Sequence, residues 1–301
     1  MNAESSRLRS AAVTSSDMRA IWPGALLVVY LTATEVVLLF GRSSTAGLLL
    51  HTLALAAIVA PTWLRTIRPW LRAWAPLLAV PFLYAEMPEL IRAAGHIDTF
   101  DAIVLAWEQA VFASQPAATW AGRWPSAFAS ELLHFAYLSY YGIIASVPVV
   151  LYFTGRRREF SDAVFVLMLT FLACFACYIL FPVSGPRYVL PAPAHASSGP
   201  MRLATVWLLE TGSSRGTAFP SSHVAVAVTQ TILAMRYLGR AGWLIALLTL
   251  GLACGAVYGG FHFAVDVIAG AIVGFALTPL GLRLTNLAAA TTLQANATAP
   301  T

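Results

Sequence analysis

The chain has 301 residues, of which 59% are hydrophobic and only 10% charged, against about 25% charged in an ordinary soluble domain. With 18 basic and 13 acidic side chains and a mean hydropathy of +0.74, it lacks the charged shell that a soluble fold of this size needs, which excludes a soluble enzyme, a disordered chain and a nucleic-acid binder. Three cysteines cannot form a disulfide framework, and the sparse arginines that set the pI near 9.4 punctuate apolar runs rather than forming a nucleic-acid surface.

The first 20 residues are polar, with Arg7, Arg9 and Arg19. They read as a disordered cytoplasmic tail and not as a cleavable signal, because the apolar run that follows is full span length. A bilayer core needs about 20 apolar residues per helix, and the chain then offers eight such helices: roughly 22–41, 45–64, 73–91, 127–153, 162–183, 221–238, 242–259 and 262–282. The third is the weakest, interrupted by Pro81 and Pro88 with Glu86 and Glu89 at its end. Runs such as Leu244 to Ala253 do not alternate, so a β-barrel is excluded. Between the third and fourth helices, residues 97–113 place Ile97, Phe100, Ile103, Val104, Trp107, Ala110 and Val111 at helical spacing, with Asp98, Asp101 and Glu108 off that stripe. Too short and too polar to span, this segment reads as an interfacial amphipathic helix. From 286 onward the chain is low-complexity Ala/Thr and reads as a second disordered tail. The expected fold is thus all-α, a polytopic membrane bundle of about eight transmembrane helices. It divides into a tail (1–20), N-terminal membrane helices with the interfacial helix (21–126), a membrane domain (127–285) and a tail (286–301).

Arginine placement sets the orientation. With the N-terminus inside, twelve arginines fall in inner segments and six (Arg42, Arg92, Arg123, Arg187, Arg202 and Arg215) in outer ones. Both termini are then cytoplasmic in a plasma membrane, the inner membrane of a bacterium.

Polar groups at membrane depth are costly and mark functional candidates. The fifth helix ends in Ser184-Gly185-Pro186-Arg187-Tyr188, a guanidinium held by stiff backbone that can grip a phosphate. The sixth opens with Phe219-Pro220-Ser221-Ser222-His223, a helix start whose free N–H groups and dipole suit an anion. The eighth opens with His262 and Asp266, spaced i and i+4, so that the carboxylate can fix the imidazole tautomer and prepare a nucleophile. In the eight-helix topology all three clusters reach the outer membrane face.

In this order the clusters resemble the type 2 phosphatidic acid phosphatase (PAP2) and haloperoxidase superfamily: Gly185-Pro186-Arg187 is similar to its arginine motif, Pro220-Ser221-Ser222-His223 to its Pro-Ser-Gly-His motif, and His262…Asp266 to its Arg…His…Asp motif. The likeness of fold covers about 127–282. Upstream, Asp101…Glu108…Phe112…Pro116…Trp120 and Tyr137…Tyr140-Tyr141 are similar to the branch that contains the inositol phosphorylceramide synthases. There are departures: no basic residue precedes Arg187 in 177–180, Ser222 replaces a glycine, and the arginine six residues before the nucleophilic histidine falls on Ala256; Arg215 could substitute by position. The resemblance implies that His262 attacks phosphorus and forms a phosphohistidine, that Asp266 orients it, that His223 protonates the leaving oxygen, and that Arg187, Ser221, Ser222 and Arg215 hold the phosphate oxygens. It implies no metal and no cofactor. The substrate implied is a phospholipid, isoprenyl or sphingolipid phosphate; water as second acceptor makes a phosphatase, an alcohol makes a phosphotransferase. A non-enzymatic transporter is the reading from another class, though no internal repeat supports it.

Other polar residues read as structural. Cys174 and Cys177 lie inside an apolar span and read as buried small hydrophobes. Glu35 and His51 read as a polar pair between the first two helices, His134 as aromatic packing, Glu86, Glu89, Asp98 and Asp101 as solvated outer charges, and His195 as an exposed loop residue.

Overall fold

The computed structural model describes residues 22–63, 68–191 and 199–298. The tail over 1–20 and His195 lie outside these. The described residues are helical apart from loops and one isolated parallel bridge, Val183 to Thr217.

The N-terminal group comprises α1 (Trp22–Phe40), α2 (Thr45–Trp63), α3 (Pro69–Ala85) and α4 (Met87–Ala93). The third expected helix is thus two: the chain breaks at Glu86, and Pro88 opens the first turn of α4, where its missing N–H costs nothing. The expected Glu35–His51 pair is part of a larger cluster. His51 is fully buried; its Nδ1 lies 2.9 Å from Glu86 Oε2, and its Nε2 lies 3.0 Å from the Leu31 carbonyl and 3.7 Å from Glu35 Oε2. Glu86 is therefore not a solvated charge but the partner of a buried imidazole from α2. Glu89 is likewise engaged, accepting the Ser44 N–H at 2.5 Å ahead of α2 and pairing with Arg92. Asp98 alone of the four is exposed with no such role.

Next come α5 (Asp101–Phe112) and α6 (Pro116–Arg123), then α7 (Ala127–Leu138) and α8 (Tyr140–Phe153). The last two together form the span expected over 127–153, Ala127–Phe153, with a turn at Ser139, whose hydroxyl donates to the Ala136 carbonyl. The remaining helices are α9 (Arg157–Leu180), the short α10 (Pro186–Val189), α11 (Pro200–Gly212), α12 (Ser222–Tyr237), α13 (Ala241–Tyr258) and α14 (Ala264–Thr298). The end of α14 includes most of the segment expected to be a disordered tail; its Ala-rich composition has high intrinsic helix propensity, so the helix continues to Thr298.

Among the described residues, five helical stretches are long and apolar enough to cross a bilayer: Trp22–Phe40, Ala127–Phe153, Arg157–Leu180, Ala241–Tyr258 and Ala264–Leu287. At 17 residues α3 and at 16 residues α12 fall short, so length alone does not reproduce eight spans. The architecture is nonetheless an all-α polytopic bundle. Its axis is α9: 72% of its most apolar stretch is buried, against 28–39% in the other four.

Close backbone approach and hydroxyl contacts, not charge, hold the centre together. Gly270 and Gly274 on α14 face the Ser221 and Ala225 carbonyls of α12, and a Cβ at either glycine would collide with that backbone. This small-residue seam is what lets membrane helices pack tightly. Beside it, Thr229 of α12 lies 3.1 Å from both Thr170 of α9 and Thr278 of α14, all three fully buried. Leucine at Gly274 should therefore force α14 away from α12 and destabilise the bundle by about 1–3 kcal/mol, read as a lower thermal midpoint in detergent; an unchanged midpoint would refute the seam.

Candidate active site

The end of α9 and the starts of α12 and α14 meet at one end of the bundle. After α9, the Val183 N–H donates to the Gly216 carbonyl at 3.3 Å and the Ala218 N–H returns to the Val183 carbonyl at 2.9 Å. That short ladder fixes the arginine loop against the segment ahead of α12. Gly185 has φ +96° and opens α10, a turn that a side chain would strain. Arg187 is thereby placed on a four-residue helix, and its Nη1 donates to Ser213 Oγ at 2.9 Å.

His262 does not lie on α14 as the i, i+4 spacing suggests. It sits in the turn after α13, two residues before the helix begins. The chain still brings it to Asp266: Nδ1 and Oδ2 are 3.4 Å apart. The carboxylate is itself positioned, because Oδ2 accepts the Phe263 N–H at 2.9 Å. His262 Nδ1 and Asp266 Oδ1 are buried and have no hydrogen-bond partner among the described residues. Such groups cost stability where they stand, and catalytic contacts of this kind commonly tighten only around a reacting group. His223 is the second residue of α12, with its ring centroid 5.8 Å from that of His262. Tyr137 and Tyr140 wall it in, at 5.4 and 4.4 Å between centroids.

A cavity of about 40 Å³ lies here, lined by Arg187, Ser222, His223 and His262 among others. Ser221 does not line it. Its buried hydroxyl accepts the Val224 N–H at 3.4 Å as the cap of α12, and its N–H donates to the Asp266 carbonyl at 3.0 Å. Its oxygen thus caps the helix, the usual role of serine at this position. Arg215 is also outside the lining, but its guanidinium stands 4.8 Å from the Tyr188 ring, on which Arg187 packs at 5.3 Å. The two cations therefore share one aromatic platform. Cys174, Cys177 and Cys254 are free thiols, and His134 packs on Phe261 while its Nδ1 lies 2.6 Å from the Ser130 carbonyl.

Three contributors lie outside the three phosphate-site motifs: Asp101 and Glu108 belong to the upstream pattern, whereas Tyr84 stands in no motif. Tyr84 of α3 lines the cavity, lies 3.0 Å from Thr217 Oγ1 and accepts the Ser214 N–H at 3.3 Å. Asp101, expected to be solvated, is 5% exposed and accepts the Ser184 and Gly185 N–H groups at 3.0 and 2.9 Å. Glu108 is fully buried and accepts the Ala264 and Val265 N–H groups, both at 3.0 Å. Burial raises the Glu108 carboxyl above the ordinary range, and those two amides pull it back.

The sequence profile of the PAP2 superfamily matches residues 102–280. No curated protein and no solved structure matches the chain significantly. Tyr84 and Asp101 fall outside the matched region; Arg187, His223, His262 and Asp266 fall inside it. Because the match covers well over half of a helical membrane chain whose own geometry gathers those four side chains, the chain belongs to the PAP2 superfamily and is of phosphatase type.

Proposed function

We propose that this protein is an integral-membrane enzyme that removes phosphate from a lipid-linked substrate at the outer membrane face through a phosphohistidine. The observation that carries the reading is the pairing of His262 and His223 across one small cavity that Arg187 also lines. Their ring centroids lie 5.8 Å apart, which puts both imidazoles at the one cavity. In the first step the free nitrogen of His262 forms a bond to phosphorus as the bond to the lipid oxygen breaks. His223 gives its proton to that oxygen. Arg187 and Ser222, with Arg215 nearby, balance charge on the three other oxygens. Asp266 holds the imidazole and offsets its positive charge. In the second step water attacks the phosphohistidine, His223 takes up its proton, and phosphate leaves. The arginine distribution supports the outer face and cytoplasmic termini.

A second reading, transfer to an alcohol, is favoured by one observation. A larger cavity of about 180 Å³ adjoins the first and shares Arg187, Leu209 and Phe261 with it. It is roomy enough for an acceptor head group.

The experiment is a product assay on purified protein in lipid nanodiscs. Labelled phosphatidic acid, an isoprenyl phosphate and a sphingoid phosphate are offered with and without polyol acceptors. Free phosphate as the product supports hydrolysis, and a phosphorylated acceptor supports transfer. No turnover of any of the three overturns both readings and returns a non-enzymatic transporter.

A further inference from the structure

Helix α5 presents an inverted amphipathic pattern. Its apolar residues Ile103, Trp107 and Val111 are 42–62% exposed, whereas Asp101 and Glu108 are buried together with Val104. In a membrane protein the solvent on the outside is lipid, so the apolar stripe faces out and the acidic face turns toward protein. Seven residues apart, the two carboxylates lie on one side of the helix, two turns from each other. Each accepts a pair of backbone amides, Asp101 from the loop before α10 and Glu108 from the first turn of α14.

We propose that α5 is a clamp that sets the catalytic geometry, with Asp101 positioning the arginine loop and Glu108 positioning the nucleophile. The proposal rests on the phosphatase-type reading above and deepens it. The Asp101 pair, Ser184 and Gly185, directly precedes α10, which carries Arg187. The Glu108 pair, Ala264 and Val265, is the first turn of α14, between His262 and Asp266. Glu108 thus caps α14 from another helix, satisfying two N–H groups that would otherwise have no partner. Further contacts reinforce the clamp. The Phe100 N–H donates to the Pro182 carbonyl at 2.8 Å, and the Phe100 ring stacks on Phe181 at 4.5 Å. Trp107 packs at 5.7 Å against both Phe181 and Phe219, the latter just ahead of Pro220 and His223. All three motifs therefore register on one helix. Neither carboxylate lines the small cavity, so both are positioning residues and not catalytic ones.

A carboxylate is needed because each site presents two donors. An amide side chain of the same shape accepts one N–H and turns its own NH2 group against the other. Glu108→Gln and Asp101→Asn therefore test the two halves separately without changing volume. The whole protein in nanodiscs is compared in two measurements. In hydrogen–deuterium exchange, Glu108→Gln should speed the amides of 262–267 by about tenfold, the worth of one lost buried hydrogen bond, and leave 182–187 unchanged. Asp101→Asn should do the reverse. Equal acceleration of both segments, or of neither, overturns the clamp.

In kinetics on phosphatidic acid or whichever test phosphate the wild type turns over, Glu108→Gln should lower kcat by about 100-fold with KM little changed, because the nucleophile is displaced while the grip is intact. Asp101→Asn should raise KM more than it lowers kcat. A general loss of stability would not divide the two parameters between the two residues. Normal turnover in Glu108→Gln overturns the clamp and leaves the phosphatase reading standing. A wild type without turnover, but with the crossed exchange pattern, removes the phosphatase reading and leaves the clamp standing.

Discussion

Alanine at His262 is expected to abolish turnover, by about 10⁴-fold or more, as loss of a covalent nucleophile does. The ring is placed by backbone on both sides: the Phe261 and His262 N–H groups both donate to the Ala256 carbonyl, at 2.9 and 3.1 Å. These bonds do not involve the imidazole, so the variant keeps the turn and loses only the reacting group. The decisive measurement is an acid-quench and alkali-quench comparison after a single turnover of labelled substrate. Wild type should carry label that survives alkali and is released by acid, the behaviour of a phosphoramidate. His262→Ala should carry none and release none. Phosphate release by the variant near the wild-type rate would sink the nucleophile assignment. Asp266→Asn offers a graded companion. Its Oδ2 would still have the Phe263 N–H nearby, but the charge facing His262 Nδ1 at 3.4 Å would be gone. Turnover should fall by about 10²–10⁴-fold with the fold intact, since tautomer and charge are then no longer held.

Much of this architecture is legible from residue pattern alone, because a bilayer imposes few solutions. Spans α1, α9 and α13 fall within a few residues of expectation where an apolar run is uninterrupted. Pro88 and Glu86 already marked the interruption of the third span, whereas the turn at Ser139 lies inside apolar sequence and was not visible. The three motifs could be placed at helix ends because Pro186, Pro220 and Gly259-Gly260 punctuate the runs. What periodicity could not supply is which side of α5 faces protein. A hydrophobic stripe reveals two faces, and the habit learned from soluble proteins assigns the charged one to solvent. On α5 the exposed face carries Ile103, Trp107 and Val111, and Asp101 and Glu108 go inward to backbone donors. The same limit hid Tyr84, more than a hundred residues from its partner Thr217 and detectable only once α3 and the loop before α12 are packed together. A serine at a helix start has two uses, anion contact and capping, and at Ser221 the oxygen accepts the Val224 N–H as a cap.

The other large effect is expected at His223, and it depends on the leaving group. The His223 ring lies between Tyr140 and Tyr137 and faces His262 across the small cavity. As the proposed general acid it matters only if the departing oxygen needs a proton. An alkyl oxygen of a lipid does; a nitrophenolate, stable as an anion, does not. His223→Ala should therefore slow lipid phosphate turnover by about 10²–10⁴-fold, the ordinary worth of general acid catalysis. With a nitrophenyl phosphate the first step should survive. The variant should then release a burst of nitrophenolate equal to the enzyme concentration, followed by a slow phase, because the same imidazole is needed as base when water attacks the phosphohistidine. Wild type should show no such separation of phases if its two steps are balanced by one proton carrier. Equal losses in the burst and in lipid turnover would instead assign His223 to holding phosphate charge alongside Arg187 and Ser222. Absence of any burst in both His223→Ala and wild type, with turnover retained in the wild type, would argue for direct attack by water and against a covalent intermediate.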